Sequence, residues 1–329
     1  MAGIIIAADA GGTKTHLGLY RAAPGGALEP VRDRRYASAG FASLEAICTD
    51  FLRDSPRIDA GCFGVPGPVI DGRAHPTNLP WTIAEADLSH AIGGAPVRLI
   101  NDLCATAHGA IHLEPAEVAV LHPAKSPPAH GNIAAIAAGT GLGEAALVWE
   151  GDRYHAVASE GGHSDFAPRG AEQIELLRFL EAEFGHVSWE RVLSGSGLEN
   201  IHRFLRQKSG APAPAWLKEQ FEAGDPAAAI SAAALANRDP ACVRALAIFC
   251  DIYGAEAANL ALKVLAMGGV YLGGGIAPKI LPMLRGGAFV KAFLDKGRLA
   301  PLLERVEVRV ALNPTAALLG AAHCAAAML

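Results

Sequence analysis

The sequence predicts an α/β fold built from two related halves, and three observations carry that expectation. Two glycine turns, each flanked by apolar strand-like runs, occupy corresponding places far apart in the chain. Short apolar runs alternate with helical stretches through the first third. Longer, mostly helical stretches fill the second half.

The first turn is Ala8-Asp9-Ala10-Gly11-Gly12-Thr13-Lys14, set between apolar residues 4–7 and 17–20. The second is Ala138-Gly139-Thr140-Gly141-Leu142-Gly143, set between residues 133–137 and 145–149. A strand, a glycine turn and a returning strand make a hairpin whose tip exposes backbone N–H groups and a hydroxyl. Successive N–H groups form a concavity that attracts phosphate. One such hairpin is weak evidence, but two suggest a nucleotide held between two related domains. Neither turn has the spacing of a P-loop or a Rossmann fingerprint.

The elements follow in order. Residues 41–53 have helical apolar spacing, and residues 60–65 read as a buried strand stopped by Pro66-Gly67-Pro68. Asp71-Gly72 is a hairpin-turn signal. Residues 97–100 form a strand that runs into Asn101-Asp102 and a helix from Leu103. Residues 118–121, a proline-rich loop over 123–128 and the second hairpin come next. Helices are then predicted over 171–184, 197–207, 227–235 and 241–265. Residues 270–272 form a buried strand ending in Gly273-Gly274-Gly275, and 306–312 a last strand. Asn313-Pro314 is predicted to open the terminal helix, with Asn as N-cap and Pro at the first helical position.

At 329 residues, two domains are the expectation. The boundaries suggested are a small α/β domain over 1–112, onto which helix 314–329 packs back, and a large domain over 113–313. The chain is 51% hydrophobic and 19% charged, an ordinary globular profile. Its net charge is -5 and no Lys/Arg run is present, which argues against a nucleic-acid partner. The six cysteines show no Cys-x-x-Cys pair and fit buried, reduced thiols of a cytoplasmic protein. The N-terminal apolar run meets Asp9 too soon for a signal peptide. The apolar stretch 315–329 is too short to span a bilayer, so no membrane association is expected.

Four constellations could carry chemistry. Asp9 beside Gly11-Gly12-Thr13 suits a water-coordinated Mg²⁺ next to phosphate, or else is part of a plain glycine hairpin. Asn101-Asp102, at a strand's carboxyl end, suits a proton acceptor, although an Asx before a helix is more often a cap. Ser159-Glu160-Gly161-Gly162-His163-Ser164-Asp165 gathers carboxylates and an imidazole that bond sugar hydroxyls well. Glu190 would pass as a solvated helix residue. Gly273-Gly274-Gly275 allows adenosine to lie against the backbone, or makes a tight strand-to-helix turn.

The order of these pieces resembles the bacterial glucokinase family, within the actin-like ATPase and sugar kinase superfamily. The matching segments are Asp9-Ala-Gly-Gly-Thr13, Pro76-Thr77-Asn78-Leu79-Pro80-Trp81, Leu99-Ile100-Asn101-Asp102 and Gly139-Thr-Gly-Leu-Gly143. They continue with the 159–168 segment, Glu190-Arg-Val-Leu-Ser-Gly195, Gly273-Gly-Gly-Ile-Ala-Pro278 and Asn313-Pro314. The resemblance implies two ribonuclease-H-like lobes with an active-site cleft between them, a homodimer, and ATP-dependent phosphorylation of glucose at its 6-hydroxyl. It implies Asp102 as general base, with Asn78, Asn101, Glu160, His163 and Glu190 holding the sugar. Asp9 would lie near Mg²⁺, reaching it through water. Gly11, Gly12, Thr13, Lys14, Gly139, Thr140 and Gly141 would serve the ATP phosphates, and Gly274 and Gly275 the adenosine.

Lys14 departs from the pattern, which usually has Asn there. Gly-Gly-Thr-Lys-Thr is more similar to N-acetylglucosamine kinases and dehydratase-activating ATPases, so another hexose is the alternative substrate. The Cys-rich zinc motif of the related repressor and sugar-kinase group is missing. A sugar-sensing regulator on the same fold is the non-enzyme alternative. It would normally carry a DNA-binding segment, whereas this chain starts almost directly at its first strand.

Overall fold

The structure, a computed structural model, describes residues 3–23, 27–76 and 79–329. The chain begins with β1 (Gly3–Ala10), β2 (Lys14–Ala22), β3 (Leu28–Ala37), α1 (Leu44–Phe51) and β4 (Ala60–Val65). It continues through β5 (Arg73–Ala74), β6 (Ile83–Ala84), α2 (Glu85–Ala91), β7 (Val97–Asn101), α3 (Asp102–Ala110) and β8 (Val118–His122). Next come β9 (Ile133–Ala138), β10 (Leu142–Trp149), β11 (Tyr154–Ser159), α4 (Gly170–Phe184), α5 (Gly195–Ser209), α6 (Ala215–Ala223) and α7 (Pro226–Leu235). The last elements are α8 (Pro240–Lys263), β12 (Gly269–Gly273), α9 (Leu281–Arg285), α10 (Ala288–Leu294), α11 (Ala300–Leu303), β13 (Val308–Ala311) and α12 (Ala316–Ala326).

Among the described residues the strands form a five-stranded sheet, β3-β2-β1-β4-β7, and a six-stranded sheet, β11-β10-β9-β12-β13-β8, besides the short pair β5-β6. Two compact units result, one of residues 1–118, 145–159 and 313–329, the other of 119–144 and 160–312. Residues 145–159 thus group with the first unit, beyond the boundary at 112 that the sequence suggests. Within that unit β11 packs on α3, a partner 50 residues away that local pattern does not reveal.

In the first unit β1 alternates its side chains between two cores, as strand geometry requires. Ile6 and Ala8 pack with Leu17, Phe63, Leu44 and Ile47 on one face. Ile5 and Ala7 pack with Cys62, Leu318 and Ala321 on the other, beneath α12. The parallel register aligns Asp9 with Gly64 on β4, and Val65 with Asn101 on β7, so the carboxyl ends of β1, β4 and β7 share one edge. The Asp71-Gly72 turn forms as expected, with Ile70 bridging Arg73.

Three details differ from the sequence reading. β3 was not anticipated because its side chains are polar and mostly exposed; pairing with β2 holds it. The terminal helix starts at Ala316, not at Pro314, and Asn313 does not cap it. The Asn313 side chain instead accepts from the Thr315 N–H (2.8 Å) and hydroxyl (2.7 Å), closing a local turn before the helix. α5 begins two residues early, at Gly195, because Ser194 is its cap and accepts from the Gly197 N–H at 3.0 Å.

In the second unit β9, β12 and β13 are parallel, with Gly273 opposite Ala137. α8 is long and apolar enough by length and composition to cross a membrane, yet 78% of its most apolar stretch is buried in the protein. It is the core helix of this unit. Asp239 caps it through Cys242 N–H, Pro240 opens it, and the Tyr253 hydroxyl donates to the Ile136 carbonyl on β9 at 3.2 Å.

Candidate active site

In the first unit the β1–β2 turn is braced by Ser38. Its hydroxyl donates to the Gly11 carbonyl (2.7 Å) and its N–H to the Thr13 carbonyl (3.0 Å). The Gly11 N–H donates to the Lys14 carbonyl, so Gly11 shapes the turn, with Gly12, Thr13 and Lys14 at the tip. Thr13 and Lys14 are exposed. Asp9 lies opposite His16 on β2. Burial raises the Asp9 carboxyl above its ordinary pKa, and the His16 charge opposes that rise.

At the same sheet edge Asn101 is the N-cap of α3. Its carbonyl oxygen accepts from Leu103 N–H (2.8 Å) and Cys104 N–H (3.3 Å), and its amide donates to the Gly67 carbonyl at 3.1 Å. Capping therefore falls to Asn101, and Asp102 is the first residue of the helix proper. Asp102 Oδ1 accepts from the Leu103 N–H at 2.9 Å. Asn78 and Thr77 lie outside the described residues.

In the second unit, Leu142 joins three of the sequence-predicted pieces. The Gly139 N–H donates to the Gly141 carbonyl at 2.8 Å, closing the second turn. The next residue, Leu142, donates its N–H to Glu190 Oε2 at 2.9 Å. Its carbonyl backs onto Gly162, where any Cβ would collide with it, so only glycine lets the Glu160–His163 loop lie this close. The two loops are also stitched to each other. Trp189 N–H donates to the Ser164 carbonyl (3.0 Å), Phe166 N–H to the Val187 carbonyl (2.9 Å), and the Phe166 and Trp189 rings meet edge to face.

Glu160, His163 and Glu190 are thus held by one local framework. Glu160 precedes the short helical turn 161–163, and its carboxylate lies 4.0 Å from His163 Nε2. Both side chains keep more than half their surface exposed (52% and 61%). Glu190 sits in a second such turn, 189–191, rather than on a solvated helix face.

The third glycine cluster joins the same strand ends. Gly274 has φ 77° and packs directly on the Ala138 carbonyl, which also accepts from Ile276 N–H at 3.3 Å. Both Gly139–Gly141 and Gly274–Gly275 therefore lie where β9 and β12 end.

Sequence reasoning missed the braces. Ser38 carries no motif signal. The Gly195 N–H, which donates to the Gly139 carbonyl at 2.9 Å, could have been suspected from Ser194-Gly195 at the end of the Glu190 segment. It also missed Glu144, directly after the second glycine motif and 1% exposed. Burial, then the neighbouring Glu256, pushes its carboxyl up to about 8.

Residues 6–328 match the glucokinase family. A glucokinase of Nostoc punctiforme is 40% identical over 98% of this chain and 99% of its own. One of Synechocystis is also 40% identical, over 98% and 97%. Among solved structures, a glucokinase from an Antarctic psychrotroph superposes with a TM-score of 0.86 at 31% identity, over 98% of each chain. With its actin-like ATPase fold and a match over nearly its whole length, this chain belongs to the glucokinase family.

Proposed function

We propose that this protein transfers the γ-phosphoryl group of ATP to the 6-hydroxyl of glucose. Family membership supports the reaction, and one observation supports the assignment of residues: the junction at Leu142. One residue there ties a phosphate-type turn to both carboxylate-bearing loops. Phosphoryl transfer is mostly positioning and charge neutralisation, and a shared anchor serves positioning.

Asp102 accepts the proton of the 6-hydroxyl as that oxygen attacks phosphorus. It starts α3 while Asn101 does the capping, so its carboxylate is not required as the cap. Glu160 and His163 bond sugar hydroxyls, as does Glu190 while anchoring Leu142. Asn101 contributes through its amide, and Asn78 belongs to the same reading. Gly12, Thr13, Lys14 and Thr140 contact phosphate; Gly11, Gly139 and Gly141 shape the two turns. Gly274 and Gly275 give the adenosine a flat backbone surface.

The residues around Asp9 fit Mg²⁺. Its carboxyl is penalised by burial beside a phosphate-type turn, and a hard cation reached through water favours the ionised oxygen-donor form. When bound, Mg²⁺ neutralises charge on the transferring phosphates. A cytoplasmic setting, where ATP is abundant, and a homodimer complete the reading; sedimentation equilibrium checks the latter.

The test is a matrix of sugars against donors with the purified protein. Glucose with ATP is expected to give the highest kcat/KM, with galactose and fructose strongly disfavoured. A site that satisfies each hydroxyl leaves buried groups unpaired when one is inverted. A clear preference for N-acetylglucosamine, or for ADP or polyphosphate as donor, would overturn the assignment.

A further inference from the structure

Gly64 is buried in the interior of β4, aligned with Asp9 of β1 on one side and Ile100 of β7 on the other. A glycine inside a strand has no side chain to pack and weakens the strand, so its presence calls for a reason. Backbone conformation is not that reason, because Gly64 has no positive φ. The reason lies above the sheet. Side chains alternate along a strand, so Gly64 shares a face with Cys62. On that face Cys62 packs with α12, and Gly64 meets the first turn of α3. A Cβ at position 64 would stand 3.1 Å from the Ala105 Cβ, 3.3 Å from the Ala8 carbonyl oxygen and 3.8 Å from the Asp102 Cα.

α3 has little room to retreat from that contact, because α12 holds it backbone to backbone. A Cβ on Gly109 would collide with the Ala316 carbonyl, and one on Gly320 with the Ala105 carbonyl. One turn further along each helix the His112 and His323 rings stack. Ala105 is therefore gripped twice, its methyl against Gly64 and its carbonyl against Gly320, and it is fully buried. Interiors are close-packed and transmit strain, so volume added at position 64 displaces the turn above it. That turn begins with Asp102.

Resting on the reading of Asp102 as the proton acceptor, we propose that Gly64 is a positioning residue for it. The bare backbone of β4 sets how closely the first turn of α3 approaches the sheet edge that carries Asp9, and so where the Asp102 carboxylate stands. Gly64 itself touches no reacting atom. Misplacing a reacting group by about 1 Å costs about 10²-fold in rate. An added methyl at position 64 asks its neighbours to give by a few tenths of an ångström. The corresponding loss of turnover is roughly three- to tenfold.

The test is a cycle of the parent protein, Gly64→Ala, Asp102→Asn and the double substitution. Turnover is counted per glucose-binding site, titrated by calorimetry, so that unfolded protein does not enter. Gly64→Ala is expected to lower kcat roughly three- to tenfold, with KM for glucose and ATP little changed. In the Asp102→Asn background the same substitution should cost nothing further, because no carboxylate is left to misplace. Adding Ala105→Gly to Gly64→Ala removes the methyl it meets and should recover most of the lost turnover. Ala105→Ser presses on the same contact from the helix side and should repeat the pattern, so the answer does not depend on how well one variant folds. If Asp102→Asn is slow, the positioning role is overturned by full turnover in Gly64→Ala and Ala105→Ser, by an equal loss in both backgrounds, or by no recovery with Ala105→Gly. Turnover of Asp102→Asn within a few-fold of the parent overturns the base assignment itself, and the positioning role with it.

Discussion

The two glycine turns look alike in sequence and are held in different ways. The β1–β2 turn rests on a neutral brace, the Ser38 hydroxyl and N–H, from residues just after β3 in the same unit. The β9–β10 turn rests on an ionisable one, since Glu190 takes the N–H of Leu142 directly after it. Hydrogen bonds to a charged acceptor are roughly twice as strong as neutral ones. More important is what each brace belongs to. Ser38 reaches besides its turn only its near neighbours in the first unit, the Thr15 hydroxyl on β2 and the Phe41 N–H, among the contacts of the described residues, whereas Glu190 belongs to the loop stitched to Glu160 and His163. The comparison teaches that the second turn, unlike the first, is mechanically joined to the proposed sugar loops.

Breaking the charged brace should have the larger effect. In Glu190→Ala the Leu142 N–H loses its acceptor, at a cost of about 1.5–3 kcal/mol. Initial-rate kinetics are expected to show KM for both glucose and ATP rising roughly tenfold or more. A change confined to glucose would separate the turn from the loops and end the comparison. Ser38→Ala removes a neutral hydrogen bond of about 0.5–1.5 kcal/mol. The ATP KM should rise only a few-fold and glucose affinity should hold; an equal loss for glucose would mean that the first turn is coupled too.

A contrast in pH behaviour follows from two other clusters and should touch turnover least. In the first unit His112 and His323 stack with ring centroids 3.5 Å apart. Burial, then His112, lowers the His323 pKa from 6.5 to about 4. The unfolded chain then binds more protons, so this contribution is full above pH 6.5 and lost as pH falls through about 4. In the second unit the raised Glu144 carboxyl makes the folded state the greater proton binder. Its contribution is full below 4.5 and lost as pH rises through about 8. Urea titrations across pH should therefore show an acid limb reduced by His323→Gln and an alkaline limb reduced by Glu144→Gln. Unchanged limbs in these variants would assign the pH dependence to other groups.

What was legible in the sequence was local. Glycine turns, the Asp71-Gly72 hairpin and the strand-to-helix step at Asn101-Asp102 each announce themselves within a few residues. What was not legible depends on distant partners. Glu190 matters through a backbone N–H 48 residues earlier, and Ser38 through a carbonyl 27 residues away. β3 lacks any apolar alternation, so only its pairing with β2 reveals it. Asn313 has the cap signature, but its side chain is spent on Thr315 before the helix begins.

The assignment of Asp102 as the proton acceptor is tested most directly by Asp102→Asn, with turnover and glucose binding measured on the same preparation. Because Asn101 supplies the helix cap, the substitution removes the carboxylate and leaves α3 in place. A positioned general base contributes about 10²–10⁴-fold, so kcat is expected to fall by roughly 10²-fold or more. Glucose affinity by calorimetry should stay nearly unchanged. Turnover within a few-fold of the unsubstituted protein would contradict the assignment and leave Asp102 as a helix-start residue only.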